Sequence, residues 1–248
     1  MNIKYGFICC GYNCVQWVDQ SIFSMLNQEY KNFKIICMDA QSSDGTYEKL
    51  LIHQDNYPDV ISVYRNTERK YQVENTMLAA KMAEDCDVLI TVDLDDFLAH
   101  SKVLNKLNEI YSDTNVWMTY GSYCHFPYQD VSHLYHDYPE DVKIAGTFKQ
   151  YGRWLSSHLR TFKRKLFLNI PDNDLKNLKG NYIDMAGDAA FMYPMLEMSR
   201  ERTKFIPDIL YVYNKTNPLS EDRVDVKRQE AAAHEIKCKP INKRIESL

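Results

Sequence analysis

The chain has 248 residues, 45% of them apolar and 26% charged, with a formal net charge of −4. That composition excludes a disordered chain, and its slight acidic balance offers no overall basic excess for nucleic acid or an anionic membrane. Seven cysteines at irregular spacing, with no second pair to complete a zinc site, read as small buried hydrophobes in a reducing compartment.

In chain order, the apolar run over 3–10 predicts a strand. A helix follows over 15–28, with Trp17, Val18, Ile22, Met25 and Leu26 on one stripe. Residues 33–39 predict a second strand. The turn Ser42-Ser43-Asp44-Gly45-Thr46 then opens a helix, with Ser43 or Asp44 as its candidate cap. A short strand over 60–64, a helix over 71–84 and a strand over 88–92 come next. A helix over 101–111, capped by Ser101, and a strand over 116–120 complete the regular part. This alternation predicts an α/β fold with a Rossmann-like, mostly parallel sheet flanked by helices. Residues 121–155 are less regular and rich in Tyr, His, Pro and Asp. Strand character resumes at Leu159 to Lys163, followed by a helix over 188–199, a strand over 205–213 and a polar helix over 220–238. Without a linker or repeat, residues 1–248 read as one domain, with a regular half (1–120) and a variable half (121–248).

The chemistry concentrates where the 88–92 strand ends. Asp93, Asp95 and Asp96 put three carboxylates in four positions, and carboxylates that close repel one another and resist desolvation. Ligands on parallel sheets bind outside the carboxyl ends of strands, and Asp39 also ends a strand. A divalent cation would relieve the repulsion. Mg²⁺ and Mn²⁺ both prefer oxygen ligands, and Mg²⁺ usually shares its shell with substrate phosphates. His125, His133 and His136, near Asp137, form a weaker metal candidate and read as solvated loop residues. The 18 tyrosines suit contacts to sugars or bases, although most fill half-buried positions.

The segment Phe7 to Asn13, the run Met38-Asp39-Ala40-Gln41-Ser42-Ser43-Asp44-Gly45-Thr46 and the tetrapeptide Asp93-Leu94-Asp95-Asp96 resemble glycosyltransferase family 2, which has a GT-A fold. Order and spacing match over residues 3–100. The second half matches more loosely, through Gly187-Asp188-Ala189-Ala190-Phe191. The resemblance implies a metal-dependent, inverting transfer of a sugar from a nucleoside diphosphate sugar, UDP preferred, to a hydroxyl of a glycan or glycoconjugate. Residues 1–120 would bind the donor and 121–248 would carry the acceptor side. By position, Asp39 would meet the nucleotide base and Tyr12 the base or ribose, with Asp44 and Arg69 as further nucleotide-side candidates. Asp93 would face the ribose, and Asp95 or Asp96 would supply the ligand for Mn²⁺ or Mg²⁺, since the three-acid form allows both alignments. Asp188 would be the catalytic base, with Asp184 its competitor. The chemistry agrees: a cation stabilises a diphosphate leaving group, and an acceptor hydroxyl needs a positioned base. His158 and Arg160 are candidates to contact donor phosphate or acceptor. Trp154 would stack on a sugar or fill the core, and the 211–218 stretch would close over the nucleotide.

Three other readings compete. A haloacid-dehalogenase-like phosphatase also uses D-x-D after a strand, but on its first strand. A nucleotidyltransferase needs a glycine-rich basic loop, and Cys9-Cys10-Gly11-Tyr12-Asn13 has one Gly and no Lys or Arg. A non-catalytic nucleotide- or sugar-binding module would not need Asp39, the acid cluster and Asp188 together. No signal peptide or spanning segment is recognisable, so a soluble, cytoplasmic protein is expected, with membrane contact at most peripheral.

Overall fold

The structure is a computed structural model that describes residues 2–128, 130–131, 135–220 and 225–248. Its strands are β1 (Tyr5–Gly11), β2 (Phe33–Asp39), β3 (Ile61–Arg65), β4 (Val88–Thr91), β5 (Phe97–Leu98), β6 (Met118–Phe126), β7 (Ser157–Lys163) and β8 (Thr203–Asn214). Its α-helices are α1 (Val18–Leu26), α2 (Thr46–Asn56), α3 (Gln72–Met82), α4 (Val103–Tyr111), α5 (Glu140–Ala145), α6 (Arg164–Leu168), α7 (Gly187–Ser199) and α8 (Val226–Cys238).

The strands form one sheet in the order β3-β2-β1-β4-β7-β6-β8-β5. From β3 to β4 every pairing is parallel. Beyond β4 the sheet is mixed: β7 runs antiparallel to β4 and β6, β8 runs parallel to β6, and β5 runs antiparallel to β8. Of the parallel strands, β1, β2 and β4 are buried on both faces over most of their length, which is why they read as continuous apolar runs, whereas β3 is a partly exposed edge. Phe33, Ile35 and Cys37 of β2 enter a core shared with α1 and α4, while Ile36 and Met38 enter the one shared with α3, α6 and α7. The period-2 alternation of a strand divides the side chains between the two cores.

Several boundaries differ from the sequence expectation. Ser101 does not cap α4. That helix starts at Val103 after Lys102, and the Ser101 hydroxyl donates instead to Glu29 Oε1 at 3.1 Å. Helix α2 follows Gly45, which takes the left-handed φ of 97° that the tight turn demands. The region expected to be irregular from 121 holds the rest of β6, to Phe126, and the short α5. Helix α8 begins at Val226, with the Asp225 carboxylate accepting from Arg228 N at 3.0 Å.

The second half also buries an ion pair. Lys149 Nζ lies 3.1 Å from Glu197 on α7 and donates to the Pro240 carbonyl at 3.0 Å. Glu197 Oε2 accepts from Asn242 N at 2.9 Å. The segment after α8 is thereby tied to α7.

Candidate active site

A cleft of about 370 Å³ opens at the carboxyl ends of β1 and β4, the amino end of β7 and the start of α7. Tyr12, Arg69, Asp93, Asp95, Asp96, His158 and Asp188 all line it. At one end the Arg69 guanidinium carbon stands 3.9 Å from the centre of the Tyr12 ring and 5.2 Å from that of Tyr71. Both are cation–π contacts. Gly11 leads into this loop because a Cβ there would lie 2.7 Å from Leu94 Cδ1.

Asp39 and Asp44 are not among the lining residues. Asp39 is fully buried, accepts from Ser42 N at 3.1 Å and pairs with Arg65 Nε at 3.4 Å. Asp44 accepts from Val15 N at 3.0 Å and from the Thr46 hydroxyl at 2.6 Å. Burial pushes Asp44 up, but the Thr46 hydroxyl and the backbone N–H groups prevail and hold it below the usual carboxylate range. Asn13 N donates to Ser42 Oγ and Ser43 N to Asn13 Oδ1, each at 2.9 Å. The turn after β2 thus braces the loop that carries Tyr12. Ala40, next to Asp39, is the residue from this segment that reaches the cleft.

The three acids have separate surroundings. Asp96 is buried, with Oδ2 accepting from the Tyr211 hydroxyl at 2.8 Å and Oδ1 from Asn214 N at 2.7 Å. Asp93 N donates to the same Tyr211 oxygen at 3.2 Å, and Asp93 Oδ1 accepts from Gln72 Nε2 at 3.4 Å. Asp95 is half-buried and accepts from Asn217 Nδ2 at 2.6 Å. Burial, then the Asp95 charge, pushes Asp93 up to about 7, and the same causes with Asp93 added push Asp96 well above its usual value. Carboxylates that raise one another's proton affinity suit a divalent cation such as Mg²⁺ or Mn²⁺, because the cation replaces the missing counter-charge.

One oxygen of Asp93, one of Asp96 and a ring nitrogen of His158 also lie within 4.8 Å of one another. His158 Nδ1 sits 3.5 Å from Arg160 Nη1. The Arg160 guanidinium faces Nδ1, and the cluster offers two carboxylates and one imidazole to a divalent cation. Burial, then the Arg160 charge, keeps His158 neutral, and its ring stacks on Tyr211 at 4.3 Å. The other histidine candidates lie apart: His125 Nδ1 is 3.0 Å from Asp130, and His136 Nδ1 is 2.8 Å from the Asp137 carbonyl. His133 is outside the described residues.

Across the cleft, Asp188 lies in the first turn of α7. Its Oδ2 accepts from Arg160 Nη2 at 2.6 Å and its Oδ1 from Ala189 N at 2.8 Å. Ala186 precedes α7 at φ 53°, an uncommon value for a residue with a Cβ. At Gly187 a Cβ would lie 2.7 Å from Gln72 Oε1, the amide that also reaches Asp93. Asp184 is bound to Arg228 instead. Trp154 is half-buried and lines the cleft, with its ring edge-on to Tyr193 at 5.0 Å. Sequence reasoning missed the Arg160–Asp188 pair and the Tyr211 hydroxyl, since no local spacing ties residue 160 to 188 or 211 to 96.

Residues 7–174 match Glycosyl transferase family 2, and the chain belongs to that family. A Haemophilus influenzae protein described as an uncharacterised glycosyltransferase is 28% identical over 114 residues, 45% of this chain and 44% of that protein. EpsE of Bacillus subtilis, named as a glycosyltransferase, is 37% identical over 67 residues, 27% of this chain and 24% of its own length. The matches thus span less than half of each curated relative. Among solved structures, S. aureus TarS superposes with a TM-score of 0.65 at 16% identity, over 87% of this chain and 37% of TarS. TarS 1-349 has been solved with UDP and with UDP-GlcNAc. The mannosyltransferase PcManGT from Pyrobaculum calidifontis, solved with GDP-Man and Mn²⁺, gives 0.64 at 16% identity, over 94% of this chain and 62% of its own. At such identities the likeness is one of fold, and that fold is GT-A. Among the described residues, no helix is long and apolar enough to cross a membrane.

Proposed function

We propose that this chain transfers a sugar from a nucleoside diphosphate sugar to an acceptor hydroxyl, with inversion. The observation that carries the reading is a single cleft lined by Tyr12 and Arg69 at one end, the acid loop in the middle and Asp188 opposite. Tyr12 and Arg69 hold the nucleoside end. Asp93 and Asp96, with His158 beside them, would hold a divalent cation, and Asp95 lines the same cleft. Each Asp96 oxygen accepts one protein hydrogen bond and keeps a further lone pair. The cation would stabilise charge on the leaving diphosphate. Asp188 accepts the proton of the attacking hydroxyl, which approaches from the face of the sugar opposite the diphosphate. Asp39 and Asp44 act through the turn that supports Tyr12, with Asp39 meeting the base only if the Ser42 turn opens.

UDP is the first nucleotide to test, since the fold is shared with a protein solved with UDP and UDP-GlcNAc. GDP follows from the mannosyltransferase solved with GDP-Man and Mn²⁺. A glycan or glycoconjugate is the proposed acceptor, with Trp154 as a ring on which a sugar stacks. The test is a thermal-shift panel of UDP, GDP, CDP and dTDP, each with Mn²⁺ and with EDTA. One nucleotide should stabilise the protein only with metal, by about 2.7 kcal/mol at a hundredfold excess over Kd. Absence of any shift in either condition would sink the reading.

A further inference from the structure

The acid loop follows β4, and Asp188 starts α7. Arg160 of β7 links the two, its backbone paired with β4 and its buried side chain bonded to Asp188. Arg160 is paired in register with Thr91, the last residue of β4 and two positions before Asp93. Its guanidinium makes three contacts: Nε to the Ser156 carbonyl at 3.1 Å, Nη1 to His158 Nδ1 at 3.5 Å and Nη2 to Asp188 Oδ2 at 2.6 Å. With Ala189 N on Oδ1, both oxygens of Asp188 are held, and the side chain is 28% exposed toward the cleft.

We infer that Arg160 is a positioning residue that fixes the Asp188 carboxylate relative to the acid loop. The inference rests on Asp188 being the base, as proposed above. A carboxylate has about four lone-pair sites, so the two bonds set its rotamer and leave about two sites for the acceptor hydroxyl. The β4–β7 ladder holds Arg160 at a fixed height beside the acid loop, and the planar fork transmits that height to Asp188. Lysine could not do this, since an ammonium is a point charge without a fork geometry. A misplacement of about 1 Å at a reacting group costs about a hundredfold in rate.

Two measurements test the inference. The first needs no turnover. In protein labelled with ¹⁵N-arginine, the Arg160 Nη2 hydrogens should give resolved, slowly rotating resonances that vanish in Asp188→Ala. Free rotation in the unaltered protein would overturn the inference. The second reads nucleoside diphosphate release from UDP-GlcNAc or GDP-mannose, whichever is turned over. Arg160→Gln should lower kcat about a hundredfold, with donor KM within about threefold. Arg160→Lys should recover less than about tenfold of that loss, and Arg160→Gln combined with Asp188→Asn should be no slower than Asp188→Asn alone. Unchanged kcat in Arg160→Gln, or a raised donor KM at unchanged kcat, overturns the inference while an inactive Asp188→Asn leaves the base reading standing. Full turnover in Asp188→Asn defeats the base reading itself.

Discussion

From β3 to β4 the strands run parallel and reach the cleft only through their last residues and the loops that follow, whereas β7 enters the cleft with its first residues. The reason is direction. Arg160 lies opposite Thr91 in an antiparallel ladder, so Ser157 and His158 project past the carboxyl end of β4. Tyr123 of β6 and Tyr213 of β8 arrive at the same rim from strands that run opposite to β7. The parallel half therefore keeps its polar groups at strand ends, where turns satisfy them. The mixed half puts His158 and Arg160 inside a strand, where burial must be matched by partners. The Tyr12–Arg69 end of the cleft is made of loops on an apolar scaffold, and the His158–Arg160 side is made of the scaffold itself.

The largest effect expected is on turnover. Asp188→Asn should lower transfer by about 10²- to 10⁴-fold while nucleotide binding with Mn²⁺ is retained, as a thermal shift would report. Preserved turnover would move the base elsewhere, with Asp184 the first candidate. The next effect is on stability and separates the two halves. Lys149→Met strands Glu197 in the core and should cost about 3–5 kcal/mol in urea unfolding. Lys49→Met removes the cation from Asp19 in the parallel half, where the side chains are 30% and 50% exposed, and should cost less than about 1 kcal/mol. Equal costs would show that burying the Lys149–Glu197 pair adds nothing to what the exposed Lys49–Asp19 pair contributes.

The parallel half was legible because its signals are local. The apolar runs of β1, β2 and β4 and the turn at Ser42 to Thr46 each carry their own meaning within ten residues. The acid loop was legible for the same reason. Asp188 was found through a motif, and its placement across from that loop fits the expected role without testing it. The second half hid more. The charged run His158 to Lys163 carries no local cue to burial, and its place between β4 and β6 buries it as far as Phe162. Ser101 looked like a cap, but Gln28 Oε1 accepts from Leu104 N at 3.1 Å, so a distant side chain performs that service for α4. Asp39 and Asp44 match a family motif, yet their hydrogen bonds point into the turn, a direction that spacing does not encode.

A further effect concerns pH. Asp93, pushed up to about 7 by burial and then by Asp95, has an ordinary value of 3.8. Between about pH 4 and 7 the folded protein therefore holds a proton there that the unfolded chain has lost. Stability contributed at this position falls as pH rises through that window and is level above it. In EDTA, the unfolding free energy of the unaltered protein minus that of Asp93→Asn should decline between those limits. Mn²⁺ favours the ionised form and should flatten the decline. A difference that does not vary with pH in EDTA would show that Asp93 ionises as freely folded as unfolded.

The last effect belongs to a hydroxyl that joins the halves. Tyr211 of β8 accepts from Asp93 N and donates to Asp96 Oδ2, so one oxygen from the mixed half closes the loop built by the parallel half. Tyr211→Phe keeps the ring on His158 but leaves a buried carboxylate oxygen and a backbone N–H without that partner. The cost should be about 1–3 kcal/mol, read as a lower urea midpoint at unchanged slope. Tyr5 of β1 supplies the control. Its hydroxyl is buried without a hydrogen-bond partner among the described residues, so Tyr5→Phe should leave the midpoint unchanged or raise it. If both variants fall equally, the loss comes from packing around an aromatic ring and the Tyr211 bridge contributes nothing of its own. If only Tyr211→Phe falls, the bridge couples the acid loop to the strands opposite it.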